Sequence, residues 1–310
     1  MARVVMVMGY PAAGKSSVAK PYEEQGFVYL NRDKAGGKVI DLVPQMTAAL
    51  RAGKDVVLDN TFPTVASRKP FIDAAQAQDV VIVCDWVAST IEDAQFNACV
   101  RMMERFGRIL DPAEIKRDAS PNIFPPGVLF RYRKEFEPPT TDEGFKRVDK
   151  RPFVRDVPKT WVNRAVILDY DGTLRDTKTG EKWPLYPGDI QILPKRAQVL
   201  KKWQKQGFLL LGVSNQSGIA KNNPPEKVAI ECFEATNKKL GLDIPYLFCP
   251  HNPAPISCYC RKPMPGFGVH FIVQHKLNPA ECVMVGDQTT DKTFATRCGF
   301  KFTHADVFFK

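Results

Sequence analysis

Long apolar runs are missing from these 310 residues. None approaches the roughly 20 residues that a spanning helix needs, so no membrane partner is expected. The opening VVMVM runs straight into a glycine loop and does not read as a signal peptide. The expectation is a soluble intracellular protein, cytoplasmic or nuclear. Internal repeats and low-complexity tracts are absent too, which leaves ordinary globular domains. At this length two domains are the default, and a hydrophobic fraction of 44% lets both bury a core.

Acidic residues are scarce in one half. The formal charge is +10, from 44 basic and 34 acidic side chains. Residues 1–150 hold 21 basic and 20 acidic side chains, whereas residues 151–310 hold 23 and 14. This asymmetry suggests a polyanionic partner, although a solvated lysine-rich surface gives the same count.

The first half alternates strand-like runs (RVVMVM, FVYL, VVL, VVIVC) with helical patterns, among them 35–52 and 66–77. That alternation predicts a parallel sheet with crossover helices. A proline- and charge-rich passage at 137–159 interrupts it, and the alternation restarts at WVNRAVILDYDGT. Later strands are FLLLGV, YLFC and CVMVG. Ala229, Cys232, Phe233, Thr236 and Leu240 share one helical face. The predicted fold is α/β in two domains, residues 1–152 and 158–310.

Gly9-Tyr-Pro-Ala-Ala-Gly14-Lys15-Ser16 fits the P-loop pattern between a strand and a helix. Backbone amides would cradle phosphate at a helix N-terminus, Lys15 would reach the β- and γ-phosphates, and Ser16, followed by Ser17, would hold magnesium. ATP and Mg2+ are therefore expected cofactors. Asn31, Arg32 and Asp33 end the next strand; Asp33 could take a proton from an attacking hydroxyl, or could merely cap a helix. Asp59 ends another strand and could support magnesium or substrate, or cap a turn.

MGYPAAGKSS, GFVYLNRD, DVVLDNTFPTVASR and RYRKEFEPPTTDEGF together resemble the kinase domain of the polynucleotide kinase–phosphatase family. That resemblance implies Asp33 as general base for a 5′-hydroxyl. It implies substrate or phosphate contacts from Arg32, Asp59 and Arg68, and a lid arginine at Arg101, with Arg105 and Arg108 as alternatives. A further arginine found in phage-type relatives is replaced here by Gly36.

In AVILDYDGTL a strand delivers Asp169 and Asp171 on one side of an extended chain. Asp169 would attack phosphorus, and Asp171 would protonate the leaving oxygen and then activate water. Ser214 and Asn215 would meet phosphate oxygens, and Lys262 would neutralise developing charge. Asp169, Asp171, Asp287 and, one turn on, Asp291 would hold magnesium. The set DYDGTL, SNQSGI, CRKP and GDQTTD resembles the haloacid dehalogenase superfamily, which implies a Rossmannoid parallel sheet after the P-loop sheet. It is most similar to the subgroup of histidinol-phosphate, heptose-bisphosphate and polynucleotide 3′-phosphatases, which lack a large cap.

Of eight cysteines, Cys84, Cys99, Cys232, Cys282 and Cys298 read as small buried hydrophobes. Cys249, Cys258 and Cys260 gather with His251 in the loop 249–260, a Cys3His set suited to structural Zn2+. Histidinol- and heptose-type phosphatases carry a similar loop, whereas polynucleotide 3′-phosphatases usually lack it. The expectation is an end-healing enzyme for DNA or RNA repair, phosphorylating 5′-hydroxyl ends and hydrolysing 3′-phosphate ends, with a ligase as a pathway partner. A small-molecule kinase fused to a sugar-phosphate phosphatase is the alternative. Chelation of the zinc should slow the phosphatase and spare the kinase.

Overall fold

Five consecutive apolar residues, Val4 to Met8, are all buried, and they alternate between two cores. Successive side chains on a strand point to opposite faces, so this strand is covered on both sides, as the centre of a parallel sheet must be. The structure, a computed structural model, describes residues 2–118, 120–155 and 157–310. The chain divides into two units: Met1–Asn97 with Ala119–Arg155, and Ala98–Asp118 with Asp156–Lys310.

The first half runs β1 (Arg3–Gly9), α1 (Lys15–Glu24), β2 (Val28–Leu30), α2 (Arg32–Ala35), α3 (Leu42–Arg51), β3 (Val56–Asp59), α4 (Val65–Gln76) and β4 (Val81–Ala88). Then come α5 (Ile91–Phe106), α6 (Pro112–Arg117), α7 (Gly127–Glu135) and β5 (Val148–Pro152). The sheet is all parallel in the order β2-β3-β1-β4-β5. Strand order reverses at β1, which opens a crevice at the carboxyl end of that strand. The helix expected over 35–52 begins only at Leu42, because Gly36 and Gly37 end α2 before it. From Ala98 onward, α5 and the whole of α6 are grouped with the second unit. Those residues lie in the half of the sequence read as the first domain.

The second half runs β6 (Arg164–Leu168), β7 (Arg175–Thr177), β8 (Ile190–Ile192), α8 (Arg196–Lys205), β9 (Phe208–Asn215), α9 (Glu226–Leu240) and β10 (Tyr246–Cys249). It ends with α10 (Gly266–Gln274), β11 (Val283–Gly286), α11 (Thr289–Cys298), β12 (Lys301–His304) and α12 (Ala305–Phe308). The main sheet is again parallel, ordered β10-β9-β6-β11-β12, with β6 central. The helical face read from the sequence is the buried face of α9: Ala229, Cys232, Phe233, Thr236 and Leu240. A small antiparallel pair, β7 with β8, was not foreseen. Among the described residues no helix is long and apolar enough to cross a membrane.

Candidate active sites

The P-loop leaves β1 at Gly9. A Cβ there would stand 2.6 Å from the Val87 carbonyl oxygen, so only glycine lets the loop start this close to β4. Gly14 stands at the N-terminus of α1, whose first residues are Lys15, Ser16 and the exposed Ser17. Lys15 Nζ donates to the Tyr10 carbonyl at 2.8 Å. Ser16 Oγ donates to Asp59 Oδ2 at 2.8 Å, and Tyr29 Oη donates to the same oxygen at 2.6 Å. Burial and its bond to Asp59 push the Tyr29 phenol up. Asp59 is itself buried, so it stands behind the P-loop serine, on the side where Ser16 would meet magnesium.

The acceptor side is built around Asn31. Its side chain caps α2 by accepting from the amides of Asp33 and Lys34 at 2.8 and 3.2 Å. Asp33 is therefore not the cap; its half-exposed carboxylate pairs with Arg32. Asn60, which the sequence reading passed over, accepts the Arg32 amide at 3.0 Å.

Arg68 is held inside the protein. It is fully buried, forks onto both Glu143 carboxylate oxygens at 2.6 and 2.7 Å, and donates to the carbonyls of Phe62 and Glu137. Arg101 lies on α5, Arg105 pairs with Asp118 at 3.4 Å, and Arg108 forks onto Glu114. All three are grouped with the second unit.

In that unit Asp169, Asp171, Ser214, Asn215, Arg261 and Lys262 line a cavity of about 570 Å3 at the carboxyl ends of the strands. Lys262 Nζ lies 2.6 Å from Asp169 Oδ1 and 2.7 Å from Asp291 Oδ1, and donates to the Val213 carbonyl at 3.1 Å. All three charged side chains are buried. Burial pushes the Asp169 carboxyl well above the usual range; Lys262 opposes the shift and Asp291 adds to it. Burial alone would lower Lys262, but Asp169 and Asp291 more than offset it and hold the ammonium above its ordinary value.

Asp169, Asp287 and Asp291 can each point an oxygen at one cation, with those atoms within 4.8 Å of one another. Asp171, expected among the magnesium ligands, is outside this set. Its carboxylate instead accepts from Arg175 Nε at 2.8 Å and from Gln216 Nε2 at 2.7 Å. Arg175 is buried and anchored on the Cys232 carbonyl and Thr236. Asn215 is engaged with the backbone: its amide oxygen accepts from the Lys262 amide and its nitrogen donates to the Lys262 carbonyl, at 2.9 and 3.0 Å. It fixes the lysine's backbone, while Ser214 accepts from Gln216. Gln216 lies inside the SNQSGI motif and Arg175 directly follows DYDGTL, but sequence reasoning gave neither a role.

Cys249, His251, Cys258 and Cys260 also converge within 4.8 Å. Cys249 Sγ lies 3.7 Å from Cys258 Sγ and 3.3 Å from Cys260 Sγ, and His251 Nδ1 lies 3.4 and 3.2 Å from the sulfurs of Cys249 and Cys260. A tetrahedral zinc with sulfur at about 2.3 Å needs donor separations of roughly 3.5–3.8 Å. The donor types suit that ion, and three of the four separations, at 3.2–3.4 Å, are a few tenths of an ångström tighter than it needs.

Residues 4–95 match the AAA domain family, and residues 164–309 match the family described as polynucleotide kinase 3 phosphatase. Residues 164–309 belong to the polynucleotide kinase 3 phosphatase family. It is 32% identical over 164 residues to a bifunctional polynucleotide phosphatase/kinase of Schizosaccharomyces pombe, a match covering 51% of this chain and 36% of that one. The chain thus spans about a third of that relative. It is also 32% identical over 145 residues to a probable D-glycero-D-manno-heptose-1,7-bisphosphate 7-phosphatase of Thermoplasma volcanium, covering 45% of this chain and 96% of the relative. Among solved structures, the Pnkp1/Rnl/Hen1 RNA repair complex aligns over 98% of this chain and 95% of its own, at 15% identity and a TM-score of 0.32.

Proposed function

We propose that this protein heals nucleic-acid ends, moving the ATP γ-phosphate to a 5′-hydroxyl and removing a 3′-phosphate. The carrying observation is that one chain holds both a P-loop whose Ser16 meets Asp59 and a buried Asp169–Lys262–Asp291 cluster. On the kinase side, loop amides and Lys15 grip the ATP phosphates and Asp33 takes the proton of the acceptor hydroxyl.

On the phosphatase side, Asp169 attacks phosphorus and forms an aspartyl-phosphate. Asp171, oriented by Arg175 and Gln216, gives its proton to the leaving oxygen and takes one back from the hydrolytic water. Lys262 neutralises charge gathering on the phosphoryl oxygens. Magnesium held by Asp169, Asp287 and Asp291 would supply Lewis-acid charge stabilisation. Zinc on the four loop ligands is structural. The products, 5′-phosphate and 3′-hydroxyl ends, are what a ligase joins, so a ligase is the expected next enzyme. The five cysteines outside the zinc loop are free thiols, which supports a reducing intracellular setting.

The zinc-type loop and the Thermoplasma relative favour a second reading, a sugar-phosphate phosphatase. Incubation with ATP, magnesium and matched 5′-hydroxyl and 3′-phosphate oligonucleotides separates the two. Labelled 5′ ends and released phosphate are expected. An inert oligonucleotide beside rapid turnover of a sugar bisphosphate would sink the end-healing proposal.

A further inference from the structure

His251 uses its two ring nitrogens in different directions. Nδ1 faces the sulfurs of Cys249 and Cys260, whereas Nε2 lies 3.5 Å from Asp111 Oδ1. Asp111 comes from a stretch of chain 140 positions earlier, between α5 and α6, that belongs to the same unit. Ile109, two residues before it, packs against Cys249, Cys258 and Cys260, while Leu110 and Ile115 are buried. The stretch has its own bracing: Arg108 forks onto Glu114, whose carboxylate also accepts the Asp111 amide at 3.0 Å.

A metal-bound imidazole commonly donates its other N–H to a carboxylate, which selects the tautomer, orients the ring and raises its basicity as a ligand. We infer that Asp111 is a positioning residue of the metal loop, holding His251 so that Nδ1 faces the ion, and that the loaded loop in turn clamps residues 98–118. The contact continues inward, since Arg261 donates to the His251 carbonyl at 3.3 Å and the next residue is Lys262. The inference rests on the reading of 249–260 as a zinc loop.

The test uses the full chain and zinc alone, titrated in competition with a chromogenic chelator. Asp111→Ala should weaken zinc binding about 10- to 100-fold, the usual effect of losing such a partner, and Asp111→Glu should restore much of it. Hydrogen exchange of the unsubstituted chain should show residues 98–118 protected with zinc and opened without it. That comparison decides even if Asp111→Ala fails to fold. Equal zinc affinity in Asp111→Ala, or exchange in 98–118 indifferent to zinc, overturns the inference while leaving the zinc loop standing. An unsubstituted chain that takes up no zinc overturns both.

Discussion

Lys262 Nζ sits 2.6 Å from Asp169 Oδ1, and neither side chain is appreciably exposed. When Asp169 is ionised, its charge is thus countered by a lysine that Asn215 fixes through two backbone hydrogen bonds. Removing the ammonium would leave Asp169 and Asp291 buried with no cation. Lys262→Ala should destabilise the second unit by about 3–5 kcal/mol, the cost of breaking a buried pair from one side. Thermal or urea unfolding checks this, and unchanged stability would contradict the buried pairing.

The two chemistries should separate by mutation. Asp169→Asn is expected to lower 3′-phosphate hydrolysis by roughly a thousandfold or more and to spare 5′ phosphorylation; Lys15→Ala should do the opposite. Parallel assays on one preparation of each variant suffice. Retention of the targeted activity in either variant would remove that residue from its role.

Stability should depend on pH through Asp169. Its folded value is raised above the ordinary 3.8, so the metal-free folded chain holds a proton that the unfolded chain releases. That contribution is full below about pH 4 and is lost as pH rises through the folded value. Relative to Asp169→Asn, the metal-free chain should therefore lose thermal stability between acid and neutral pH. Parallel Tm curves for the two proteins would refute this.

Arg68 offers a test of structure against substrate contact. Arg68→Ala strands Glu143 and should cost about 3–5 kcal/mol. Below its lowered melting temperature, the kinase KM for a 5′-hydroxyl oligonucleotide should be unchanged. A raised KM with normal stability would restore the substrate role.

Gly172 adopts φ +79°, and a Cβ there would lie 2.6 Å from Asp287 Oδ2. Gly172→Ala adds about 1–2 kcal/mol of backbone strain and displaces a candidate magnesium ligand. The phosphatase should need more magnesium for half-activity while the kinase magnesium requirement stays the same.

What could be read in advance was whatever one strand delivers at its own end. Asp169, Asp171, Asp287 and the P-loop follow apolar runs directly, so period and motif locate them without knowledge of the fold. The buried face of α9 was legible because its period is local. The burial of Arg68 was not legible, because its partner Glu143 is 75 positions away and an arginine near a phosphate motif looks the same buried or free. Arg175 and Gln216 share the carboxylate of Asp171 only after α9 and β9 fold around it. Asn215 resembled a phosphate donor until the backbone of Lys262 occupied it.

Residues 98–118 bear on how the chain can be taken apart. A cut in the proline-rich passage near 152–158 gives a C-terminal fragment without Ile109 over the cysteines and Asp111 beside His251. Such a fragment lacks a piece of its own unit, while its N-terminal counterpart carries that piece with nothing to dock on. Single-site proteolysis or truncation there should yield weakened halves, and supplying the peptide 98–118 in trans should steady the C-terminal one. The two units are interleaved along the chain, and dissecting them requires rejoining 98–118 to the later segment.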